Sequence, residues 1–179
     1  MVKNNNIDRD DVITLLSGSD LRSIGQVNYI IDQVQKNKLP IADLFAAIFY
    51  SDEGVRMRAA DALEKISAHN PLILKPFKKQ ILNKVSKITR QEVRWHLAQI
   101  LPRLSLTKKE RDTAFILLKE FLKDQSKIVR TFALQALTDI ALQDPIYIQE
   151  TINIVKNALQ KGSPAMKSRA KKLIKQLEQ

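Results

Sequence analysis

Apolar residues recur at intervals of three and four along almost the whole chain, a spacing typical of amphipathic helices. The clearest case is residues 89–104, where successive side chains lie about 100° apart and the core positions all fall within about 80° of the first one, Val93. These core positions are Val93, Leu97, Ile100, Leu101 and Leu104. No segment alternates apolar and polar residues with the two-residue period of a strand. The pattern predicts about ten helices, arranged as five antiparallel pairs with short connections.

Polar residues predict where several helices begin. Thr107 and Glu110 have the spacing of a capping box, in which two side chains each satisfy a free backbone N–H group at a helix start. Thr89 and Glu92 share that spacing. An earlier helix is predicted over residues 20–36 from its apolar spacing.

Proline and glycine predict breaks in the same pattern. Pro76 lies inside a helix predicted to begin at Pro71 and should kink it, since proline removes a backbone donor. Pro102 falls in the last turns of the helix in residues 89–104 and should bend or end it. Gly162 should end the helix that precedes the last one.

One short pattern returns at a nearly constant interval. It consists of an apolar residue, a cation, and apolar residues three, six and seven places after the cation. The copies read VRMRAADAL, VRWHLAQIL and VRTFALQAL, with weaker versions MKSRAKKLI and LRSIGQVNY. Their cations are Arg22, Arg56, Arg94, Arg130 and Lys167, spaced 34, 38, 36 and 37 residues apart. A fixed period of this length predicts helical hairpins stacked one on the next.

The three strong copies resemble the second helices of HEAT repeats, and the resemblance extends over residues 8–178. It implies a right-handed α–α superhelix of about five HEAT-like hairpins, with first helices outside and second helices lining a concave face. We expect one domain over residues 1–179, with repeats near 8–37, 40–68, 70–104, 107–143 and 145–178. Weak first and last copies fit terminal repeats, whose outer faces meet water.

In HEAT repeats the repeated Arg is usually supported by an Asp shortly before it. Here Asp124 lies six residues before Arg130. The equivalent positions before Arg56 and Arg94 carry Tyr50 and Ile88, so a complete ladder of Asp–Arg pairs is not expected.

The side of each second helix opposite its core stripe is the predicted binding surface. In the helix of residues 89–104 that side carries Trp95, Gln99 and Pro102. The same frame applied to the other repeats also selects Thr138 and Ser168. The surface that it selects changes from acidic through neutral to basic along the chain. The principal residues of this predicted concave face are Met57, Asp61, Trp95, Gln99, Thr131, Gln135, Lys172 and Lys175. HEAT repeats mostly bind macromolecules, so the resemblance favours a non-catalytic scaffold that binds a protein segment.

The net charge of +11 introduces an alternative function, because excess positive charge favours acidic partners. The excess lies in residues 75–111 and 156–179. These segments could form a nucleic-acid-binding module, although a groove for the phosphate backbone should be basic along its whole length. They could equally be a solvated outer face and a soluble end cap. The candidate patch for an acidic partner comprises Lys75, Lys78, Lys79, Lys167, Arg169 and Lys171.

Trp95 has two interpretations that the sequence leaves open. An exposed tryptophan is a frequent anchor for a binding partner. Alternatively, Trp95 packs between neighbouring repeats, since large aromatic residues usually end up mostly buried. His96 is expected to be structural, because no nucleophile, base or metal ligand lies at a useful spacing from it.

No enzymatic motif is present. The sequence lacks a glycine-rich phosphate loop, a zinc motif and a nucleophile elbow, and it contains no cysteine. HEAT-like alkylpurine DNA glycosylases are a remote enzymatic precedent. Their pattern has a carboxylate four residues after the tryptophan, whereas this chain has Gln99 at that position. We therefore expect no catalysis, metal, cofactor or small-molecule substrate. No secretory signal or membrane span is evident, which favours a cytoplasmic protein.

Overall fold

The computed structural model describes residues 8–20 and 23–178, and every regular element in that part of the chain is helical. The all-α fold predicted from the sequence is confirmed. No helix there is both long and apolar enough to cross a bilayer. The ten α-helices of the described chain are α1 Arg9–Leu16, α2 Val27–Gln35, α3 Ile41–Ala47, α4 Glu53–His69, α5 Lys78–Asn83, α6 Gln91–Ile100, α7 Lys108–Phe121, α8 Lys127–Gln143, α9 Ile148–Lys161 and α10 Pro164–Leu177.

The helices form two compact units, Met1–Phe77 and Lys78–Gln179. In the N-terminal unit, α4 packs against α1, α2 and α3. Its apolar face supplies Leu63, which is buried together with Leu16, Ile30 and Leu44. Burial of such side chains is the main source of stability in a fold of short helices.

One charged side chain lies inside the N-terminal unit. Arg58 of α4 is only 1% exposed. Its guanidinium donates hydrogen bonds to the carbonyl oxygens of Leu16 (2.8 Å), Gly18 (3.3 Å), Asp20 (2.6 Å) and Ser23 (3.0 Å). Arg58 therefore holds the connection between α1 and α2 against α4, and these bonds compensate for burial of the charge.

The C-terminal unit is organised around α8, which packs against α6 on one side and α10 on the other. The preceding helices of the last two hairpins, α7 and α9, also contact α8. Three successive second helices thus lie next to one another, as the repeated sequence pattern predicts. The core stripe predicted for α6 is buried in full, from Val93 to Leu104.

The repeated Arg makes the same main-chain contact in all three strong copies. Arg56, Arg94 and Arg130 each donate to the carbonyl oxygen six residues earlier, at 2.8, 3.2 and 3.2 Å respectively. Arg94 additionally pairs with Asp124 of the next repeat at 2.6 Å. The repeated contact therefore needs no Asp at the earlier position, and the Asp124 side chain adds a link to the Arg of the preceding repeat.

The predicted start of the second helix differs from the structure. Instead of beginning near Asp20, α2 begins at Val27, after a turn in which Gly25 has φ of +53°. The neighbouring Leu21 and the first repeat cation, Arg22, lie outside the described residues.

The two predicted capping boxes have opposite outcomes. The box of Thr107 and Glu110 is confirmed, with both reciprocal hydrogen bonds present. The predicted box of Thr89 and Glu92 is wrong, because α6 begins one residue later than that box requires, and its N-cap residue is Arg90.

The proline and glycine positions break the helices as expected, with some differences in form. The segment around Pro76 is a 3-10 helix, Pro71–Phe77, followed by α5, rather than one kinked α-helix. Pro102 lies in a 3-10 turn that follows α6 directly. Gly162 ends α9 with φ of −71°, and a side chain there would collide with the carbonyl oxygen of Ala158. Its role is thus to allow close packing rather than a left-handed conformation.

Candidate functional site

The polar side of the three second helices in the C-terminal unit forms the candidate site. We call it the second-helix surface and define it by Trp95 and Gln99 of α6, Thr131 and Gln135 of α8, and Arg169 and Lys172 of α10. Lys172 is exposed, and the other five residues are half-buried. Helical periodicity places five of these residues opposite the core stripe and Arg169 on the flank of α10, and the packing of α8 between α6 and α10 makes the three faces adjacent.

A depression of about 440 Å³ lies between α8 and α10. Its wall includes Thr131 and Gln135 on one side and Ser168, Arg169 and Lys172 on the other. Three of the predicted concave-face residues, Thr131, Gln135 and Lys172, therefore come together around one recess.

A chain of hydrogen bonds fixes the polar groups at this depression. Arg169 Nη1 donates to Gln135 Oε1 at 2.8 Å, and Gln135 Nε2 donates to Asp139 Oδ1 at 2.8 Å. Burial raises the pKa of the Asp139 carboxyl, while the Gln135 bond and the charges of Arg103 and Arg169 act to lower it. Both ends of the Gln135 amide are used, so its orientation is set by its neighbours.

Aromatic rings continue the surface beside the depression. The ring centroid of Trp95 lies 5.4 Å from that of Phe132 and 3.6 Å from that of His96. The Arg169 guanidinium carbon lies 5.9 Å from the Phe132 centroid, a geometry that permits a cation–π contact. Trp95 is thus half-buried and packed on the neighbouring repeat, and it retains an exposed part.

Two positions selected by the periodicity are not available to a partner. Pro102 is buried, and its carbonyl oxygen accepts a hydrogen bond from Gln143 Nε2 at 2.8 Å. Thr138 is fully buried, and its hydroxyl donates to the Leu134 carbonyl within its own helix. Both residues are buried, so the prediction that they face a partner is wrong.

The remaining predicted concave-face residues are not among those that line the depression. Met57 and Asp61 belong to α4 in the N-terminal unit, and both are half-buried. The carboxylate of Asp61 pairs with Lys65 at 2.8 Å. Lys175 is exposed on α10, outside the lining of the depression, and Gln99 Nε2 donates to the Trp95 carbonyl at 3.3 Å.

The predicted basic patch consists of residues in different environments. Lys78 pairs with Glu110 at 2.7 Å and donates to the Ser105 carbonyl, and its side chain is only 19% exposed. The hydrogen bond from Lys78, and then the bond from the Thr107 backbone, lower the pKa of the Glu110 carboxyl. Arg169 turns towards α8, as described above. The exposed members of the patch are Lys75, Lys79, Lys167 and Lys171.

Sequence reasoning missed one repeated position that shapes this surface. Two residues after the repeated cation, the chain carries Arg58, His96, Phe132 and Arg169 in successive copies. Arg58 and His96 are buried, Phe132 contacts Trp95, and Arg169 contacts Gln135. The side chains at this position are chemically dissimilar, so only the spacing of the repeats could have identified it.

Comparison with known proteins agrees with this arrangement. No curated protein matches the chain. A solved structure, described as an engineered protein from the Northeast Structural Genomics Consortium, is similar with a TM-score of 0.62 and 17% identity. That alignment covers 95% of this chain and 79% of the engineered one, and at this identity it shows a shared fold. The family model described as a HEAT repeat domain matches residues 17–177, so the chain belongs to the HEAT-repeat family.

Proposed function

We propose that the protein is a non-catalytic scaffold whose second-helix surface binds a segment of another protein. HEAT repeats generally mediate protein interactions, which gives the class of function. The observation that carries the finer proposal is the depression between α8 and α10, together with the Trp95–Phe132 ring pair beside it. Trp and Arg are the residue types most often found as energetic anchors of interfaces, and both occur here in fixed orientations.

The pairing of basic residues favours this proposal over nucleic-acid binding. Several cations of residues 75–111 are used in ion pairs, with Lys78, Arg94 and Arg111 bound to carboxylates at 2.6–2.7 Å. A surface built for phosphate would leave such charges available, because phosphate neutralisation supplies most non-specific affinity. These paired cations are less available to phosphate, so a protein segment is the better-supported partner.

A displayed library of random peptides, selected on the purified protein, tests the proposal. We expect peptides that bind the wild type and are lost with Ser168→Trp, because an indole at this exposed position would obstruct the depression without removing an internal contact. Asn153→Trp is the matched control, since it adds the same group to another exposed neutral residue, on α9.

Two results would count against the proposal. One is a selection that enriches no peptide above a support without protein. The other is a set of peptides whose binding decreases equally in the Ser168→Trp and Asn153→Trp variants, which would place the binding elsewhere.

A further inference from the structure

The depression between α8 and α10 has an unbalanced chemistry. Its described lining contains two cations, two hydroxyl groups and two amides, and no carboxylate. These polar lining residues are Thr131, Gln135, Ser168, Arg169, Lys172 and Gln176. A partner group that enters this recess would meet positive charge and hydrogen-bond donors at the same place.

The surroundings reinforce this imbalance. Residues 78–179 carry 21 Lys and Arg against 9 Asp and Glu, a net charge of +12. The α10 helix, which forms one wall, contains no acidic residue between Pro164 and Leu177. The nearby Asp139 carboxylate accepts a hydrogen bond from Gln135, and Asp139 does not line the depression.

The donors available to a ligand can be identified from the internal hydrogen bonds. The Thr131 hydroxyl donates to the Lys127 carbonyl at 2.8 Å, so Thr131 lines the depression but its hydroxyl hydrogen is already used. Arg169 uses one of its N–H groups on Gln135, and this bond and the Phe132 ring hold the guanidinium in place. A guanidinium held in this way is suited to a carboxylate, which it can bind through two parallel hydrogen bonds.

We infer that the second-helix surface recognises an acidic peptide segment, with one Asp or Glu carboxylate seated between Arg169 and Lys172. This inference rests on the proposed function and specifies the chemistry of its partner. Arg169 supplies the oriented donors, Lys172 supplies a second positive charge at the rim, and the Ser168 hydroxyl lies on the same wall. Charge complementarity of this kind raises the association rate and excludes basic partners.

Two adjacent lysines provide a sharp test. Lys171 and Lys172 are both exposed on α10, but only Lys172 lines the depression. The substitutions Lys171→Glu and Lys172→Glu change the net charge equally, so any difference between them reports the recess rather than the overall field. Circular dichroism checks that both variants fold.

The probes are three fluorescein-labelled molecules measured by anisotropy near 0.1 M salt. They are a short peptide with Glu at every second position, its counterpart with Gln in place of Glu, and an oligothymidylate. We expect the Glu peptide to bind more tightly than the Gln peptide. We expect Lys172→Glu to weaken the Glu peptide about tenfold or more, since it places like charges in contact. Lys171→Glu should weaken it no more than about threefold, because Lys171 does not line the depression and an exposed charge acts weakly through water.

Other outcomes overturn the inference in distinguishable ways. If the Gln peptide binds as tightly as the Glu peptide and Lys172→Glu weakens both, the carboxylate specificity is wrong and the protein-segment function stands. If Lys171→Glu and Lys172→Glu weaken the Glu peptide equally, the recess is not the site. If oligothymidylate binds more tightly than the Glu peptide, the surface serves nucleic acid. If neither peptide binds and the displayed library also yields none, the proposed function fails as well.

Discussion

Replacement of Arg58 by methionine tests the arrangement of the N-terminal unit most directly. Methionine keeps most of the unbranched stem of Arg58 but none of its donors. The guanidinium is 1% exposed and donates to four carbonyl oxygens between Leu16 and Ser23. Those four bonds link α4 to the connection between α1 and α2, so their loss should release this connection.

The expected cost follows from where each acceptor lies. The donor and the acceptor of the hydrogen bond to the Leu16 carbonyl are both buried. Without the guanidinium this carbonyl oxygen stays buried and has lost a charged donor, which costs about 1.5–3 kcal/mol. The other three acceptors belong to the exposed residues Gly18, Asp20 and Ser23, where water can replace the guanidinium. Each of them should cost about 0.5–1 kcal/mol.

One term acts in the opposite direction. Removal of a buried guanidinium also removes the cost of keeping its charge out of water, which is several kcal/mol before its hydrogen bonds are counted. Because methionine is apolar and of similar length, it recovers part of that cost. We therefore expect the free energy of unfolding to decrease by about 3 kcal/mol, towards the lower end of the summed range.

Amide hydrogen exchange is the appropriate assay, because it resolves the two units. The single tryptophan, Trp95, lies in the C-terminal unit, so tryptophan fluorescence would not follow the N-terminal one. At 1.4 kcal/mol for each factor of ten, protection in α1 and α4 should decrease about a hundredfold in Arg58→Met. Protection in α8 and α10 should change much less.

Lys65→Met is the control on the same helix. It also removes a cation, but Lys65 makes one ion pair, with Asp61, and its side chain is 37% exposed, so we expect a change within about 1 kcal/mol. If Arg58→Met costs no more than Lys65→Met, the four hydrogen bonds contribute little and the account of this connection is wrong.

Three further predictions concern the C-terminal unit. A double-mutant cycle with Arg94→Met and Asp124→Asn should give a coupling energy of about 1–2 kcal/mol in urea denaturation, because the pair is mostly buried; coupling below about 0.5 kcal/mol would mean that the link is incidental. Burial, and then the hydrogen bond to Asp112, raises the pKa of Tyr147 to about 12. The stability that Tyr147 contributes should be complete below its unfolded pKa of about 10 and lost as the pH rises towards about 12. Tyr147→Phe should abolish that part of the pH dependence of unfolding, and an unchanged profile would contradict the assignment. Gly162→Ala should lower the free energy of unfolding by about 1–3 kcal/mol, since the added methyl group collides with the preceding turn; wild-type stability in thermal denaturation would show that the turn adjusts freely.

The comparison of sequence and structure shows which elements local information determines. The Thr107–Glu110 box was predictable because both partners lie within one turn. Residues 20–26 were predicted to be helical from the same kind of local pattern, yet α2 begins only at Val27. Arg58 lies 35 to 42 residues from the carbonyl oxygens it holds, so apolar spacing in this segment carries no information about them. A tertiary contact has overridden a local preference.

The repeated Arg illustrates a different limit. From side-chain identity, a complete ladder of Asp–Arg pairs was not expected, because Tyr50 and Ile88 occupy the positions where HEAT repeats usually have an Asp. The observed acceptor is the backbone carbonyl at that position, which every residue supplies. Arginine has several donors in a fixed geometry, so it can bind a carbonyl oxygen and still pair with Asp124, as Arg94 does. Variation at the earlier position therefore leaves this main-chain contact available in every copy.

The candidate site was predictable to the extent that a helix presents one face to solvent. Periodicity placed Thr131, Gln135 and Lys172 on that face, and the structure brings them around one depression. Helical periodicity could not predict the contacts of the position two residues after the repeated cation. That position lies on the flank of the helix, where its environment depends on the neighbouring repeat. Phe132 and Arg169 occupy this position, and they connect Trp95 to the depression. The flank holds the repeats together and also orients the groups that a partner would meet, so substitutions at Phe132 should alter both stability and binding, whereas substitutions at the exposed Lys172 should alter binding alone.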